Sequence, residues 1–337
     1  VFFPRDGVSE VQKRQMITQE GSNVYVSAVE GNFDDAQNGV KNIFASSDLI
    51  ERLSAQNIKM SSANSINWGR LLPQIIYYVS AYIDLMAQNQ VSYGEPINIV
   101  VPTGNFGNIL AAYYAGLMGV PINKLICASN ANNVLTEFLH TGIYNRNRHF
   151  YKTMSPSMDI LISSNLERLL YELTGHDAAL VSGWMGELKD KGVYEINEPI
   201  FARLKQKFWA DYGTDEETVA AIRSTWEKNH YLLDTHTAVA VNVYEKYVAA
   251  TGDNSKTIIA STASPFKFGQ SVAAAVLKPD KIAGAKDEFE ILEILSAETG
   301  ISIPAGIKDL DKRPVRHTTV CSRESMGQTV LGFLEIK

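Results

Sequence analysis

The sequence predicts an α/β protein with doubly wound parallel sheets and a helical insertion. Short apolar runs alternate with helical patterns, and alternation of this kind is typical of parallel sheets. The apolar run 97–101, a helical pattern and a second apolar run at 125–128 have the spacing of a compact βαβ crossover. With 337 residues, of which 45% are hydrophobic, the chain can bury a large core, and its length favours two domains over one.

Residues 1–65 are expected to be the remainder of a smaller α/β domain. Val1 to Pro4 resembles the stub of an apolar strand already under way, which predicts that the chain starts inside a longer protein. The elements predicted after it are a helix at Ser9–Thr18, a strand at Val24–Val29, a helix at Phe33–Ala45 and a strand at Ile58–Ser62.

Residues 66–285 are expected to form a larger α/β domain, followed by a C-terminal segment at 286–337. Its first helix is predicted from Ile66 to about Gln88, with Pro73 near its start or at a kink. The sheet elements predicted next are a strand at 97–101, a helix at Asn108–Met118, a strand at Leu125–Ala128 and a strand at Thr257–Ala260. The helical insertion covers about 176–250, with helices predicted at Glu198–Tyr212, Asp215–Asn229 and Thr235–Ala250. The pattern of Thr318–Lys337 predicts no particular element.

Charge and cysteine content limit the classes of partner and compartment. The net charge of −6 has no basic excess of the kind that nucleic-acid phosphates attract, so no nucleic-acid partner is expected. Cys127 and Cys321 are too few for a disulfide framework, which favours a reducing, cytoplasmic compartment. No apolar stretch approaches the roughly 20 residues of a membrane span, so no membrane partner is expected either.

A glycine-containing loop follows the first strand of the βαβ unit. It consists of Pro102, Thr103, Gly104, Asn105, Phe106, Gly107 and Asn108. Backbone amides that converge at a helix N-terminus favour a phosphate group. The spacing matches neither the dinucleotide nor the Walker fingerprint, so a small phosphorylated cofactor fits better than NAD or ATP. The alternative is an ordinary strand-to-helix turn that uses glycine for tight geometry.

Two further places carry candidate ligand-binding groups. Ser65 and Arg70 follow the predicted strand that ends at Ser62. A hydroxyl and a guanidinium group together can bind an oxyanion. The alternative is that Ser65 caps the next helix and that Arg70 is solvated. Thr262 follows the last predicted strand of the sheet, where ligands usually bind, unless it is a structural hydroxyl.

The histidines do not suggest a metal site. None of them has ligand spacing with nearby carboxylates or thiolates. His236 follows Asp234 by two positions and is expected to pack at a helix start.

Five segments in order resemble the threonine synthase family. Ser62–Gln74 (SANSINWGRLLPQ) and Pro102–Asn108 (PTGNFGN) are similar to the signature and the cofactor phosphate loop of that family. The match continues through Ser155–Leu161 with Ser163, Asn165 and Arg168, then Asp234–Ala238 and Thr262–Phe268. The resemblance covers roughly residues 1–316.

The resemblance implies fold type II of the pyridoxal-phosphate enzymes, the tryptophan synthase β-like type. It implies pyridoxal 5′-phosphate as cofactor and the conversion of O-phosphohomoserine and water to threonine and phosphate. By position, the amides of Gly104 to Asn108 should hold the cofactor phosphate, and Thr262 should hydrogen-bond the pyridine nitrogen. Ser65 and Arg70, together with Asn105, should bind the substrate phosphate.

The sequence departs from the family at the lysine that binds the cofactor. That lysine belongs to a Phe-Lys-Asp type segment, which is absent here and is expected upstream of Val1. We therefore expect no catalytic lysine in this chain and an inactive fragment, unless Lys267 serves as a substitute. The rival functions are a threonine-synthase-like phospholyase and a non-catalytic module that binds a phosphate ligand.

Overall fold

The computed structural model describes residues 1–5, 8–31, 33–61 and 63–336. The strands are β1 (Phe2–Pro4), β2 (Ser27–Val29), β3 (Ile97–Pro102), β4 (Ile122–Ser129), β5 (Ile143–Asn145), β6 (Val193–Glu195), β7 (Phe208–Tyr212), β8 (Thr257–Ile259) and β9 (Thr319–Cys321). The helices of the first half are α1 (Glu10–Ile17), α2 (Phe33–Ala45), α3 (Ser47–Ala55), α4 (Trp68–Ala87), α5 (Gly107–Leu117), α6 (Val134–Thr141) and α7 (Leu166–Leu173). Those of the second half are α8 (Ala178–Lys191), α9 (Glu198–Lys207), α10 (Asp215–Asn229), α11 (Thr235–Thr251), α12 (Gly269–Val276), α13 (Pro279–Ile282), α14 (Glu288–Thr299) and α15 (Met326–Phe333).

The chain divides into two compact units. One unit combines residues 1–61 with 277–337, and the other comprises residues 62–276. The sequence placed these boundaries near 65 and 285, and it did not indicate that the C-terminal segment joins the N-terminal residues.

The larger unit is built on a parallel sheet with the strand order β7-β4-β3-β8. Strand β3 lies between β4 and β8, and all of its residues are buried, as a strand covered on both faces requires. The predicted βαβ crossover is confirmed as β3, α5 and β4. Strand β4 begins three residues earlier than the predicted strand, at Ile122 rather than Leu125.

Helices cover both faces of this sheet. Alternate residues of β3, Ile97, Ile99 and Val101, belong to the core that includes α4 and α5. Val100, between them, belongs to the core on the opposite face, where Val239 of α11 packs. Because neighbouring strand residues point to opposite faces, the apolar run of β3 supplies both cores.

The smaller unit has a parallel sheet with the strand order β1-β2-β9. The strand predicted at Val1 to Pro4 is confirmed as β1, from Phe2 to Pro4. Strand β9 and helix α15 fall within Thr318–Lys337, the stretch that the sequence left unassigned, although Lys337 lies outside the described residues. Met326 of α15 is fully buried beside Val29 and Leu53.

Two sequence predictions are wrong. The helix predicted at Glu198–Tyr212 ends at Lys207, and its last five residues form β7. These residues pair in parallel with β4, where Ala210 is buried beside Cys127, so sheet pairing overrides a helical pattern. The region 178–251 is otherwise mainly helical.

No strand forms at the predicted Ile58–Ser62. Ile58 and Met60 pack against the core of the smaller unit, and residues 58–61 make no strand pairing. Ser62 lies outside the described residues. Alternating apolar residues therefore reflect side-chain burial here and not membership of a sheet.

Among the helices in the described ranges, none combines the length and the apolar character that crossing a bilayer requires.

Truncation of Ile126 should destabilise the larger unit. Its side chain is fully buried on the α11 face of the sheet, so Ile126→Ala should lower the free energy of unfolding by about 2–5 kcal/mol. Ile83→Ala is the matched control, because Ile83 is 51% exposed on α4 and its loss should change stability by about 0.5 kcal/mol or less. Urea unfolding followed by tryptophan fluorescence measures both, since all four tryptophans lie in the larger unit. Equal effects of the two substitutions would contradict this packing.

Candidate functional site

A cavity of about 250 Å³ lies at the carboxyl edge of the larger sheet. Strands β3 and β8 are parallel neighbours, so the loops that follow Pro102 and Ile259 leave the sheet at the same edge. The cavity is lined by the Gly104–Asn108 loop, by Ser65 and by Thr262, which the sequence singled out. It is also lined by Lys267, which the sequence analysis considered as a substitute lysine, and by Gln74, Ser157 and His236, to which the residue patterns assigned no binding role.

In the Gly104–Asn108 loop the first carbonyl oxygens are occupied, whereas the backbone N–H groups are free. Ser163 Oγ donates to the Gly104 oxygen at 2.8 Å, and the backbone N–H and Nδ2 of Asn165 donate to the Asn105 oxygen at 3.1 and 2.8 Å. In contrast, the N–H groups of residues 104–109 have no acceptor among the described residues. Helix α5 also lacks a side-chain cap, so its positive end is available to an anion.

The two glycines of this loop are needed for space. A Cβ on Gly104 would lie 2.7 Å from the backbone oxygen of Ser157, and a Cβ on Gly107 would lie 2.5 Å from the Cβ and Oγ of Ser65. The left-handed conformation falls on Phe106, at φ 63°, and not on a glycine. Glycine therefore lets two other segments approach the loop closely, which fits the alternative of tight geometry, while phosphate binding stays a prediction.

Asn108 is oriented by a buried tyrosine. The Tyr78 hydroxyl, on α4, donates to Asn108 Oδ1. Burial, together with the neighbouring Tyr77, raises the pKa of Tyr78 well above its usual value, so the hydroxyl remains a donor. Asn108 Nδ2 has no acceptor among the described residues, which leaves the amide nitrogen available to an anion.

Ser65 lies against Gly107 and is held from two sides. Gln74 Nε2 donates to Ser65 Oγ at 3.2 Å, and Arg168 Nη1 donates to the Ser65 carbonyl at 2.9 Å. The alternative that Ser65 caps α4 is wrong, because the cap is Asn67, whose Oδ1 accepts from the Gly69 N–H at 2.9 Å. The Ser65 hydroxyl proton is thus left free to donate to a ligand.

Arg70 is not brought into the cavity lining. It lies in the first turn of α4, is exposed, and makes no ion pair with the described carboxylates. Its role with Ser65 stays a prediction.

Thr262 is positioned by a chain of hydrogen bonds that starts at a buried carboxylate. The Thr262 N–H donates to Thr237 Oγ1 at 3.3 Å, and this hydroxyl donates to Asp234 Oδ2. The Thr262 side chain itself is exposed and bonds to no described residue. Asp234 therefore fixes the backbone of Thr262 and leaves its hydroxyl for a ligand.

The same carboxylate orients His236. The Ser157 N–H donates to His236 Nε2 at 3.1 Å, which places the ring proton on Nδ1, 3.3 Å from Asp234 Oδ1. His236 is buried at the start of α11, as expected, but it also lines the cavity. Both of its nitrogens are engaged, so it acts here as a structural support.

A larger depression of about 380 Å³ shares no lining residue with this cavity. It is lined by Trp184, Phe201 and Glu195 among others, and no helix N-terminus without a cap opens into it. The described residues contain no group of His, Cys, Asp or Glu side chains arranged to hold a metal ion.

Asp234 should make stability depend on acid pH. Although burial favours the neutral acid, hydrogen bonds from His236 and Thr237 lower the pKa of Asp234 below its usual value. A lowered pKa contributes stability that is fully present above about pH 4 and is lost as the pH falls through the folded-state value. Asp234→Asn preserves the helix cap, and it should flatten the dependence of the urea midpoint on pH between about pH 2 and pH 5. An unchanged acid dependence in this variant would contradict the assignment.

Comparison with known proteins places this chain in a family. The family model described as threonine synthase, C-terminal, matches residues 237–329. Threonine synthase-like 1 of Homo sapiens is 46% identical over 277 residues, which are 82% of this chain and 37% of that protein. Threonine synthase of Saccharomyces cerevisiae is 38% identical over 290 residues, which are 82% of this chain and 55% of that protein.

Solved structures of threonine synthases also match this chain. The crystal structure of PLP-bound threonine synthase from Brucella melitensis matches with a TM-score of 0.81 and 38% identity, over 98% of this chain and 64% of that chain. Threonine synthase from yeast matches with a TM-score of 0.82 and 32% identity, over 99% of this chain and 64% of that chain. These likenesses confirm the predicted fold, and the chain spans between about a third and two thirds of the length of these relatives. The chain belongs to the threonine synthase family.

Proposed function

We propose that this chain supplies the phosphate- and ring-binding part of a pyridoxal-phosphate-dependent lyase of the carbon–oxygen type. The reaction proposed is the conversion of O-phosphohomoserine and water to threonine and phosphate, the last step of threonine biosynthesis. The observation that carries the proposal is the uncapped N-terminus of α5, whose free amides face a cavity that Thr262 also lines. The free thiols of Cys127 and Cys321 are consistent with the cytoplasm as its location.

The residues present fit the cofactor. The N–H groups of Gly104 to Asn108 can donate to a phosphate without breaking any internal hydrogen bond, because none of them has an acceptor among the described residues. Thr262 offers a neutral hydroxyl on the adjacent strand end, suited to a hydrogen bond with a ring nitrogen. When bound, pyridoxal phosphate supplies an electron sink for negative charge on the substrate carbon next to the amino group.

The residues around Ser65 are proposed to bind the substrate phosphate. Gln74 already donates to Ser65 Oγ, so the hydroxyl proton is directed to a ligand oxygen. Asn105 lines the cavity together with Ser65, whereas Arg70 lies in the first turn of α4 and outside the cavity lining. The Arg70 side chain would therefore have to turn toward the cavity to bind a phosphate there.

Proton transfer needs a basic side chain at the cavity. His236 is excluded because its nitrogens face Ser157 and Asp234. Lys267 is the only lysine among the described residues that line the cavity, and its ammonium group lies 5.5 Å from the centre of the Phe268 ring. The chemistry is therefore assigned either to Lys267 or to a lysine that this sequence does not contain, and the two differ in a direct test.

A threonine-synthase-like phospholyase remains the alternative function. It would use the same phosphate-binding groups and release phosphate without hydration to threonine. The greater identity to threonine synthase-like 1, 46% against 38% for the yeast threonine synthase, favours this alternative.

Product analysis separates these functions. The chain is incubated with pyridoxal phosphate and O-phosphohomoserine, and phosphate and threonine are measured together. Equal amounts of both products support the threonine synthase reaction, and phosphate without threonine supports the phospholyase. If neither forms, borohydride reduction followed by peptide mapping asks whether Lys267 carries the cofactor; an unmodified Lys267 would exclude it as the substitute lysine and assign the chain a binding role.

Gly107→Ala should weaken cofactor binding. The new Cβ would lie 2.5 Å from Ser65, so either Ser65 or the loop must move, and we expect the Kd for pyridoxal phosphate to rise roughly tenfold or more. Gly116→Ala in the same helix is the matched control, because its Cβ would meet only the Ile122 side chain, at 3.4 Å. Fluorescence titration measures both affinities. Equal Kd values for the two variants would contradict binding at this loop.

A further inference from the structure

The segment 163–168 contacts both loops of the cavity without lining it. It leads from residue 163 into the first turn of α7. Asn165 is fully buried and Ser163 is 8% exposed, whereas Arg168 is partly exposed. Polar side chains buried to this extent need partners, and those partners lie in the cavity loops.

One half of the segment fixes the Gly104–Asn108 loop. Ser163 Oγ bonds to the Gly104 carbonyl at 2.8 Å, and Asn165 makes two bonds to the Asn105 carbonyl. The Ser163 N–H donates in turn to the hydroxyl of the buried Tyr144 at 2.8 Å, which anchors the segment to the core. Ser163 and Asn165, which do not line the cavity, therefore orient the peptide groups of the loop.

Asn165 occupies the N-cap position of α7 but does not cap it. Asparagine is among the residues preferred at this position, because its side chain accepts from the first free amides of the helix. Here the Asn165 oxygen accepts from Arg168 Nη1 at 3.4 Å, and its nitrogen donates to Asn105. The Asn165 side chain thus bridges Arg168 and the Gly104–Asn108 loop, and it makes no capping hydrogen bond to α7.

Arg168 holds the segment that contains Ser65 and Ile66. Its Nη1 donates to the Ser65 carbonyl at 2.9 Å, and its Nη2 donates to the carbonyl of the next residue, Ile66. A planar guanidinium suits two successive acceptors, which a single ammonium group does not reproduce. All three of its acceptors are neutral, so the positive charge of Arg168 stays uncompensated by these contacts close to Ser65.

We propose that Asn165 and Arg168 are positioning residues. Their hydrogen bonds connect the segment that contains Ser65 and Ile66 to the Gly104–Asn108 loop. They set the distance between the binding sites for the cofactor phosphate and the substrate phosphate. The inference rests on the proposed function, since it assumes that both loops bind a phosphate. Neither residue touches a ligand, and each acts through the backbone that it holds.

The two residues should affect the two ligands differently. Arg168→Met removes the fork and keeps the aliphatic stem, so the Kd for O-phosphohomoserine, measured with saturating pyridoxal phosphate, should rise roughly tenfold. The Kd for pyridoxal phosphate should change by about twofold or less in this variant. Asn165→Ser, which frees the Asn105 carbonyl, should weaken both ligands roughly tenfold. Arg168→Lys, which retains charge but not the fork, should recover the lost affinity only in part.

Calorimetry on the full chain measures both affinities, and the ³¹P resonance of bound pyridoxal phosphate reports the position of the loop. That resonance should shift in Asn165→Ser and stay near its wild-type position in Arg168→Met. Arg203→Met is the matched control, because Arg203 also donates to a backbone carbonyl, that of Leu173, at the other end of α7. It should leave both Kd values unchanged.

Three results would overturn the inference. Wild-type affinities in both Arg168→Met and Asn165→Ser would show that the ties are dispensable. Equal weakening by Arg203→Met would show that a general loosening of α7 explains the effect. A wild-type chain that binds neither ligand would overturn the proposed function as well, which separates that failure from the first two.

Discussion

Parallel pairing of β3 with β4 and β8 is the constraint on which the site depends. Parallel strands end at the same edge of a sheet, so chain segments near residues 103 and 262 meet there although about 160 positions separate them. The apolar run of β3 supplies core residues to both faces, and burial on both faces fixes the register that brings the loops together. The cavity is therefore a consequence of the same packing that stabilises the larger unit.

The proposed binding of an anion in this cavity rests on backbone groups more than on charged side chains. Unpaired N–H groups are costly in a buried loop, and those of residues 104–109 have no acceptor among the described residues. Ser163 and Asn165 hold the loop by its carbonyls, and two glycines admit the neighbouring segments. Asp234 holds the backbone of Thr262 in a similar way, through the hydroxyl of Thr237. Buried polar side chains behind the cavity thus fix the groups that face it.

The fold was predictable where periodicity and burial agree. The run 97–101, the helix predicted at Asn108–Met118 and the strand predicted at Leu125–Ala128 follow directly from hydrophobic pattern and turn chemistry, and the structure confirms them as β3, α5 and β4. Prediction was wrong at Phe208–Tyr212, where a short aromatic strand continues a helical pattern, and its pairing with a strand about 80 residues earlier is a non-local property. The same reason explains why β9 could not be assigned, since it pairs with β2 near the other end of the chain.

The sequence by itself determined the parallel α/β architecture, the loop at Gly104–Asn108, and Ser65 and Thr262 as candidate ligand groups, because these depend on local residue type and spacing. Only the tertiary structure decided that Asn67 caps α4, that Arg70 lies outside the cavity lining, and that His236 and Gln74 support it. It also decided that Arg168 binds the carbonyl of Ser65 across 103 positions of the chain. Hydrogen bonds of that range depend on how helices and strands pack, and a residue pattern read along the chain carries no signal for them.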